Sequence, residues 1–228
     1  MRAIFIKIIS SIALLLFSQF SFGQFAVGVK AGRNLSSANI EGLSSYQPNK
    51  EFLAATNATV FVSIPLKNGF SFQPELSFQE NGFIIKEMRD IKLFNVNVPI
   101  GASAHTRIRN LQIPLLAQYT FGRNLVGGYV SFGPFMNYAM SGEVKTKAHA
   151  IIDINVATTP INLKNKNFER LGGGLMGAAG VWLKAGHGRI LLEAYYQQAL
   201  TDSFADPIID IKLKNKSVGF NIGYAYLF

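Results

Sequence analysis

Residues 215–228 read N-K-S-V-G-F-N-I-G-Y-A-Y-L-F, and their alternation decides the fold. In an extended strand successive side chains point to opposite sides. Lys216, Val218, Phe220, Ile222, Tyr224, Tyr226 and Phe228 therefore share one face, while Ser217, Gly219, Asn221, Gly223 and Ala225 share the other. One face is large and apolar, the other small or polar. Which of them looks at water separates a soluble β-protein from one turned inside out.

Working back from that stretch, the same period of two recurs in 24–35, 52–66, 70–86, 107–121, 127–142, 168–184 and 189–201, giving eight candidate strands and no amphipathic helix. The connections 36–51, 67–69, 87–106, 122–126, 143–167, 185–188 and 202–214 alternate long and short. The short ones carry turn residues, as in Lys67-Asn68-Gly69, Gly122-Arg123-Asn124 and Ala185-Gly186-His187-Gly188. Such parity follows when antiparallel strands run up and down through a slab, with tight turns on one side and free loops on the other.

The composition identifies the slab. Charged residues make up only 15% of the 228, against roughly 25% in ordinary soluble domains, and 49% are apolar. On the third strand Phe70, Phe72, Leu76 and Phe78 alternate with Ser71, Gln73, Glu75, Ser77 and Gln79. On the fifth, Val130, Phe132, Pro134, Met136 and Tyr138 alternate with Tyr129, Ser131, Gly133 and Asn137. A soluble barrel would turn its large apolar face inward and dress the outside in charge. Here the opposite face offers Gly, Ser, Asn and Gln, which suit a narrow lumen. In hydrocarbon every backbone N–H and C=O must be paired, which an edgeless barrel achieves. The predicted fold class is all-β: an eight-stranded antiparallel up-and-down transmembrane β-barrel whose strands exceed the ~9 to 11 residues needed to cross.

The N-terminus reads as an address. Arg2 and Lys7 precede a short apolar run, 8–17, and Ser21-Phe22-Gly23 supplies small residues before a predicted cut, so residues 1–23 are expected to be a cleaved signal peptide and 24–228 the barrel domain. With no cysteine there is neither a disulfide framework nor a lipid-bearing residue at the cut. The expected location is the outer membrane of a Gram-negative bacterium, with both termini periplasmic and four long loops outside. Barrel-assembly machinery would handle insertion, and Tyr224, Tyr226 and Phe228 would lie in a periplasmic aromatic girdle.

An eight-stranded barrel is only just wide enough to be filled by its own side chains. Lys30, Arg33, Glu75 and Glu193 are read as a luminal ionic network, with Gln112 and Gln118 beside them, because unpaired charges there would be expensive. The net charge of +9 would suit nucleic acid, but no basic helix or stacking motif is present; lipopolysaccharide phosphates are the expected counter-ions. Ser103, His105 and Asp90 are the residues from which a rim-sited lipid-modifying triad could be drawn, though no spacing supports one. No catalytic, cofactor-binding or metal site is expected. Three long loops carry related fragments, Asp90-Ile91-Lys92-Leu93, Ile151-Ile152-Asp153-Ile154-Asn155-Val156 and Ile208-Ile209-Asp210-Ile211-Lys212-Leu213, read as strand extensions pairing above the membrane, whose edge could accept a partner's strand.

Several segments together carry a resemblance: Val27-Gly28-Val29-Lys30-Ala31-Gly32 with Asn34-Leu35, Gln73-Pro74-Glu75-Leu76-Ser77, Leu111-Gln112-Ile113-Pro114-Leu115-Leu116, Gly133-Pro134-Phe135 and Leu192-Glu193-Ala194-Tyr195-Tyr196. Over about 24–228 the chain resembles the outer-membrane β-barrel domain called the PorT family in Bacteroidetes. The resemblance implies a small outer-membrane barrel, and the family's founding member is linked to the type IX secretion system. It brings no catalytic residue. The residues thus favour a non-enzymatic surface protein displaying loops from a plugged barrel. The alternatives are a secretion-system accessory working with another envelope protein, a narrow channel, and the rim-sited enzyme. The resemblance also implies that a terminal Phe after alternating aromatics is an insertion signal.

Overall fold

The computed structural model describes residues 25–41, 49–93, 96–149, 153–161, 170–201, 205–206 and 211–228; the proposed signal peptide lies outside them. Ten strands appear among these residues: β1 (Ala26–Glu41), β2 (Asn49–Pro65), β3 (Phe70–Leu93), β4 (Val96–Arg123), β5 (Val126–His149), β6 (Asp153–Pro160), β7 (Leu171–Ala185), β8 (Gly188–Ala199), β9 (Ala205–Asp206) and β10 (Ile211–Leu227). Eight of them pair in the order β1-β2-β3-β4-β5-β7-β8-β10, and antiparallel pairing of β10 with β1 closes the ring. The eight-stranded antiparallel barrel expected from the alternation is the fold.

The closing seam runs from Ala26↔Leu227 to Glu41↔Lys212 without a register break. Along β10 the question posed by the sequence is resolved: Ser217, Gly219, Asn221 and Ala225 are buried in the lumen, while Phe220 and Ile222 are 70% and 60% exposed on the outside. The same division holds on β3, where Ser71, Gln73, Glu75, Ser77 and Gln79 face in and Phe70, Phe72, Leu76 and Phe78 face out. A polar interior with an apolar exterior is stable only against hydrocarbon.

Tight turns close one end. Asn68 and Gly69 take positive φ (58° and 83°), as do Gly122 and Asn124 (110° and 61°) and Gly186 (60°), the conformations these residue types tolerate most readily. Aromatic rings gather at that end: Phe25 stacks on Phe228 at 4.7 Å between centroids, Tyr226 meets Phe228 edge-on at 4.8 Å, and Phe70 leans on Tyr119 at 4.9 Å.

The opposite end is uneven. β3 and β4 stay paired out to Leu93↔Val96, on the order of 40 Å of strand beyond Glu80, while β5 continues to His149 and carries β6 along its outer part. These four strands form one sheet standing above the barrel. The segments 87–106 and 143–167, read from sequence as loops, are therefore largely strand. Asp90-Ile91-Lys92-Leu93 pairs with Pro99 to Val96, and Asp153 onwards pairs with β5; the third fragment enters β10 at Ile211 and pairs with β1 and β9 instead. Residues 151–152 and 208–210 lie outside the described set.

Candidate functional site

The inward face of β1, β3 and β8 brings three charges together at mid-height. Lys30 Nζ donates to Glu75 Oε1 at 2.8 Å and to Glu193 Oε1 and Oε2 at 2.8 and 2.9 Å, and none of these side chains is more than 2% exposed. Further donors complete the shell: Tyr129 OH to Glu193 Oε2 at 3.1 Å, Asn221 Nδ2 to Glu193 Oε1 at 3.0 Å, and Gln73 Nε2 to Glu75 Oε1 at 2.7 Å. The Phe61 ring lies 5.5 Å from the ammonium. A buried carboxylate without such partners would be strongly disfavoured.

Arg33 does not join this network. Its side chain is exposed and outward, as the period of two requires once Lys30, Asn34 and Ser36 face in; its register partner is the outward Phe220. Gln112 and Gln118 do face the lumen, where Gln112 Nε2 donates to Gln197 Oε1 at 3.1 Å and Gln118 Oε1 accepts from Ser71 at 3.2 Å. Tyr129 and Asn221 bond to Glu193, while Tyr195 bonds to Asn57 and Gln197 to Gln112; the sequence reading assigned none of the four a role. Their inward parity was the available signal, but the partner of each depends on register across strands.

The luminal free space is broken up. A cavity of about 50 Å³ lies near the turn end by Gln73, Gln118 and Arg189, one of about 10 Å³ lies at mid-height, and one of about 20 Å³ lies above Gln112 and Gln197. A single water needs roughly 10 to 15 Å³ measured this way. By that measure these three spaces admit about one to a few waters each.

A second charged group faces outward, one step above the ring of Phe78, Leu111 and Tyr138. Arg109 contacts Glu80 at 3.1 Å and Glu143 at 3.3 Å, Arg107 contacts Glu80 at 3.6 Å, and Lys145 contacts Glu143 at 3.3 Å. Arg170 lies 4.6 Å from the Tyr138 ring and donates to the Ala139 carbonyl at 3.1 Å.

Ser103 Oγ and His105 Nε2 are 3.1 Å apart, but Asp90, the third residue read from the sequence, is not beside them. Asp90 pairs with Pro99 whereas His105 pairs with Ile84, a displacement of six residues or about 20 Å along β3. His187 sits in a turn, its ring 6.4 Å from Tyr226. Tyr224, Tyr226 and Phe228 are all exposed on the outer face at the turn end, and Tyr224 OH donates to the Ala185 carbonyl at 3.2 Å. Among the described residues no group of three His, Cys, Asp or Glu is placed to hold a metal.

The profile of the family described as outer membrane protein beta-barrel domain matches residues 17–205. Among solved structures, Neisserial surface protein A (NspA) superposes over 91% of this chain and 100% of its own, with 11% identity and a TM-score of 0.50. OprG from Pseudomonas aeruginosa covers 92% of this chain and 98% of its own, with 14% identity and a TM-score of 0.48. At such identities the likeness to NspA speaks to the fold alone. A search of curated proteins found no match by sequence.

Proposed function

We propose a function for this chain from the premise that it belongs to the outer membrane protein beta-barrel domain family. It is a non-enzymatic surface protein of the PorT type, in the outer membrane of a Bacteroidetes-like bacterium. Residues 1–23 direct export and are removed after Gly23, both termini face the periplasm, and the aromatic ring around Tyr224, Tyr226 and Phe228 marks the inner headgroup level. The filled barrel is an anchor, and the working part is the sheet of β3, β4, β5 and β6 that it holds away from the membrane. One observation carries this reading: among the described residues, the most extensive structure outside the barrel wall is that sheet, standing on a lumen whose spaces have room for about one to a few waters. Lipopolysaccharide is the lipid partner at its base, and another envelope protein pairs with the sheet.

The test uses a deletion strain complemented either with the whole chain or with a barrel whose β3–β4 hairpin is shortened by removing residues 88–101. The shortened form should insert, migrate as a heat-modifiable barrel and still fail to restore envelope integrity. Full restoration by the shortened form would sink the reading. An accessory role in type IX secretion rests on the PorT resemblance, and the same strains scored for secreted cargo decide it: lost secretion supports it, unchanged secretion removes it. A channel would show discrete conductance steps in planar bilayers that Glu75→Ala alters.

A further inference from the structure

We infer that the mid-height luminal chamber binds one dehydrated alkali-metal cation, held by the side-chain oxygens of Asn57, Gln112 and Asn221 with the Glu75 carboxylate beside it. Asn57, Gln112 and Asn221 are 6%, 1% and 6% exposed, and Asn57 Oδ1, Gln112 Oε1 and Asn221 Oδ1 accept no hydrogen bond. Asn221 is oriented by its other end, whose Nδ2 donates to the Glu193 carboxylate at 3.0 Å; Gln112 Nε2 donates to Gln197 Oε1 at 3.1 Å and Asn57 Nδ2 to Tyr195 OH at 3.0 Å. All three residues line the same cavity of about 10 Å³, together with Glu75, Thr59 and Ser77. Buried acceptors left without a donor are rare in folded proteins, and three around one chamber point to an occupant.

Size, ligand type and charge narrow that occupant. The chamber has room for one water-sized particle. A water brings two protons and so answers at most two of these oxygens, whereas one cation is shared by all of them. Amide, hydroxyl and carboxylate oxygens are the ligands of hard cations. Lys30 cannot serve them, since its three N–H donors are spent on Glu75 Oε1 and on Glu193 Oε1 and Oε2. One ammonium against two carboxylates leaves the cluster at −1, which a monovalent ion neutralises and a divalent one would overshoot. Gly32 pairs with Asn57 on one side and Asn221 on the other, and a Cβ there would strike the Phe220 carbonyl and Asn221 Oδ1, so a glycine allows the close approach of β1 and β10 that seats Asn221.

The experiment takes the folded barrel in detergent micelles, exchanged into choline chloride, whose cation is too large for the chamber. Replacing choline by sodium or potassium at constant ionic strength should raise the unfolding temperature by about 3 °C, with the larger rise identifying the preferred ion. Crystals soaked in thallium(I) acetate should show an anomalous peak between Asn57, Gln112 and Asn221. Gln112→Leu should flatten the ion response while keeping the barrel's heat-modifiable migration; if that variant fails to fold, the wild-type soak decides. Equal unfolding temperatures in all three salts, or a chamber holding only a water peak after the soak, overturns the inference.

Discussion

Glu75 and Glu80 stand five residues apart on β3 and end in opposite surroundings. Glu75 faces the lumen and meets Lys30 at 2.8 Å, with both side chains almost wholly withdrawn from solvent. Glu80 faces outward and meets Arg109 and Arg107 at 3.1 and 3.6 Å, through guanidinium groups that are 37% and 32% exposed. Counting ion pairs would rank the outer cluster first, because it links more residues. Burial reverses the ranking, since a pair whose cation is still about a third exposed gains little over its hydrated components, while a wholly buried charge deprived of its partner has no hydration to return to.

That contrast is broken most forcefully at Lys30. Lys30→Met leaves Glu75 and Glu193 facing each other without the ammonium between them, and should lower stability by about 3 to 5 kcal/mol in urea unfolding from lipid vesicles. Wild-type unfolding by that variant would remove the luminal network as a stabilising element. Adding Glu75→Gln and Glu193→Gln to Lys30→Met sharpens the point: with no charge left to strand, the triple variant should recover most of that loss in the same assay. Tyr129→Phe deletes one hydrogen bond to the Glu193 carboxylate, at 3.1 Å, and should shift stability by about 1.5 kcal/mol. Arg109→Ala, on the outer wall, should change it by less than about 1 kcal/mol, and less again in high salt. An Arg109 effect as large as the Lys30 effect would mean that the outer cluster is shielded from solvent by something bound over it.

Much of the barrel wall was legible because its side chains obey a period of two. From Lys30 to Ser36 and from Ser217 to Ala225 the sequence alone assigns each residue to the lumen or to the outside, and the same parity puts Arg33 outside, against its reading as a luminal charge. Which luminal groups touch was not legible. Lys30 meets Glu75 and Glu193 through the stagger of β1 against its neighbours, a relation between strands that no single segment encodes. The reach of β3 was hidden for a different reason. At Glu80, Asn81, Gly82 and Phe83 four consecutive residues are buried, the alternation collapses, and the strand looks finished soon afterwards. Backbone pairing with β4 carries it on regardless, because a ladder needs no amphipathic face once it leaves the bilayer. The chamber between Asn57, Gln112 and Asn221 was equally invisible, being defined by three amides on three different strands.

The seam between β1 and β10 sets the timetable by which this molecule comes into being. Ala26 pairs with Leu227, so one of the barrel's longest ladders joins the two ends of the described chain and must be formed across nearly the whole sequence. Until that ladder zips, β1 and β10 each present an open row of donors and acceptors, which cannot persist in hydrocarbon. Closure and burial in the bilayer are therefore one event, and a ribosome that stalls before the last strand leaves behind a sheet that cannot close through its native seam.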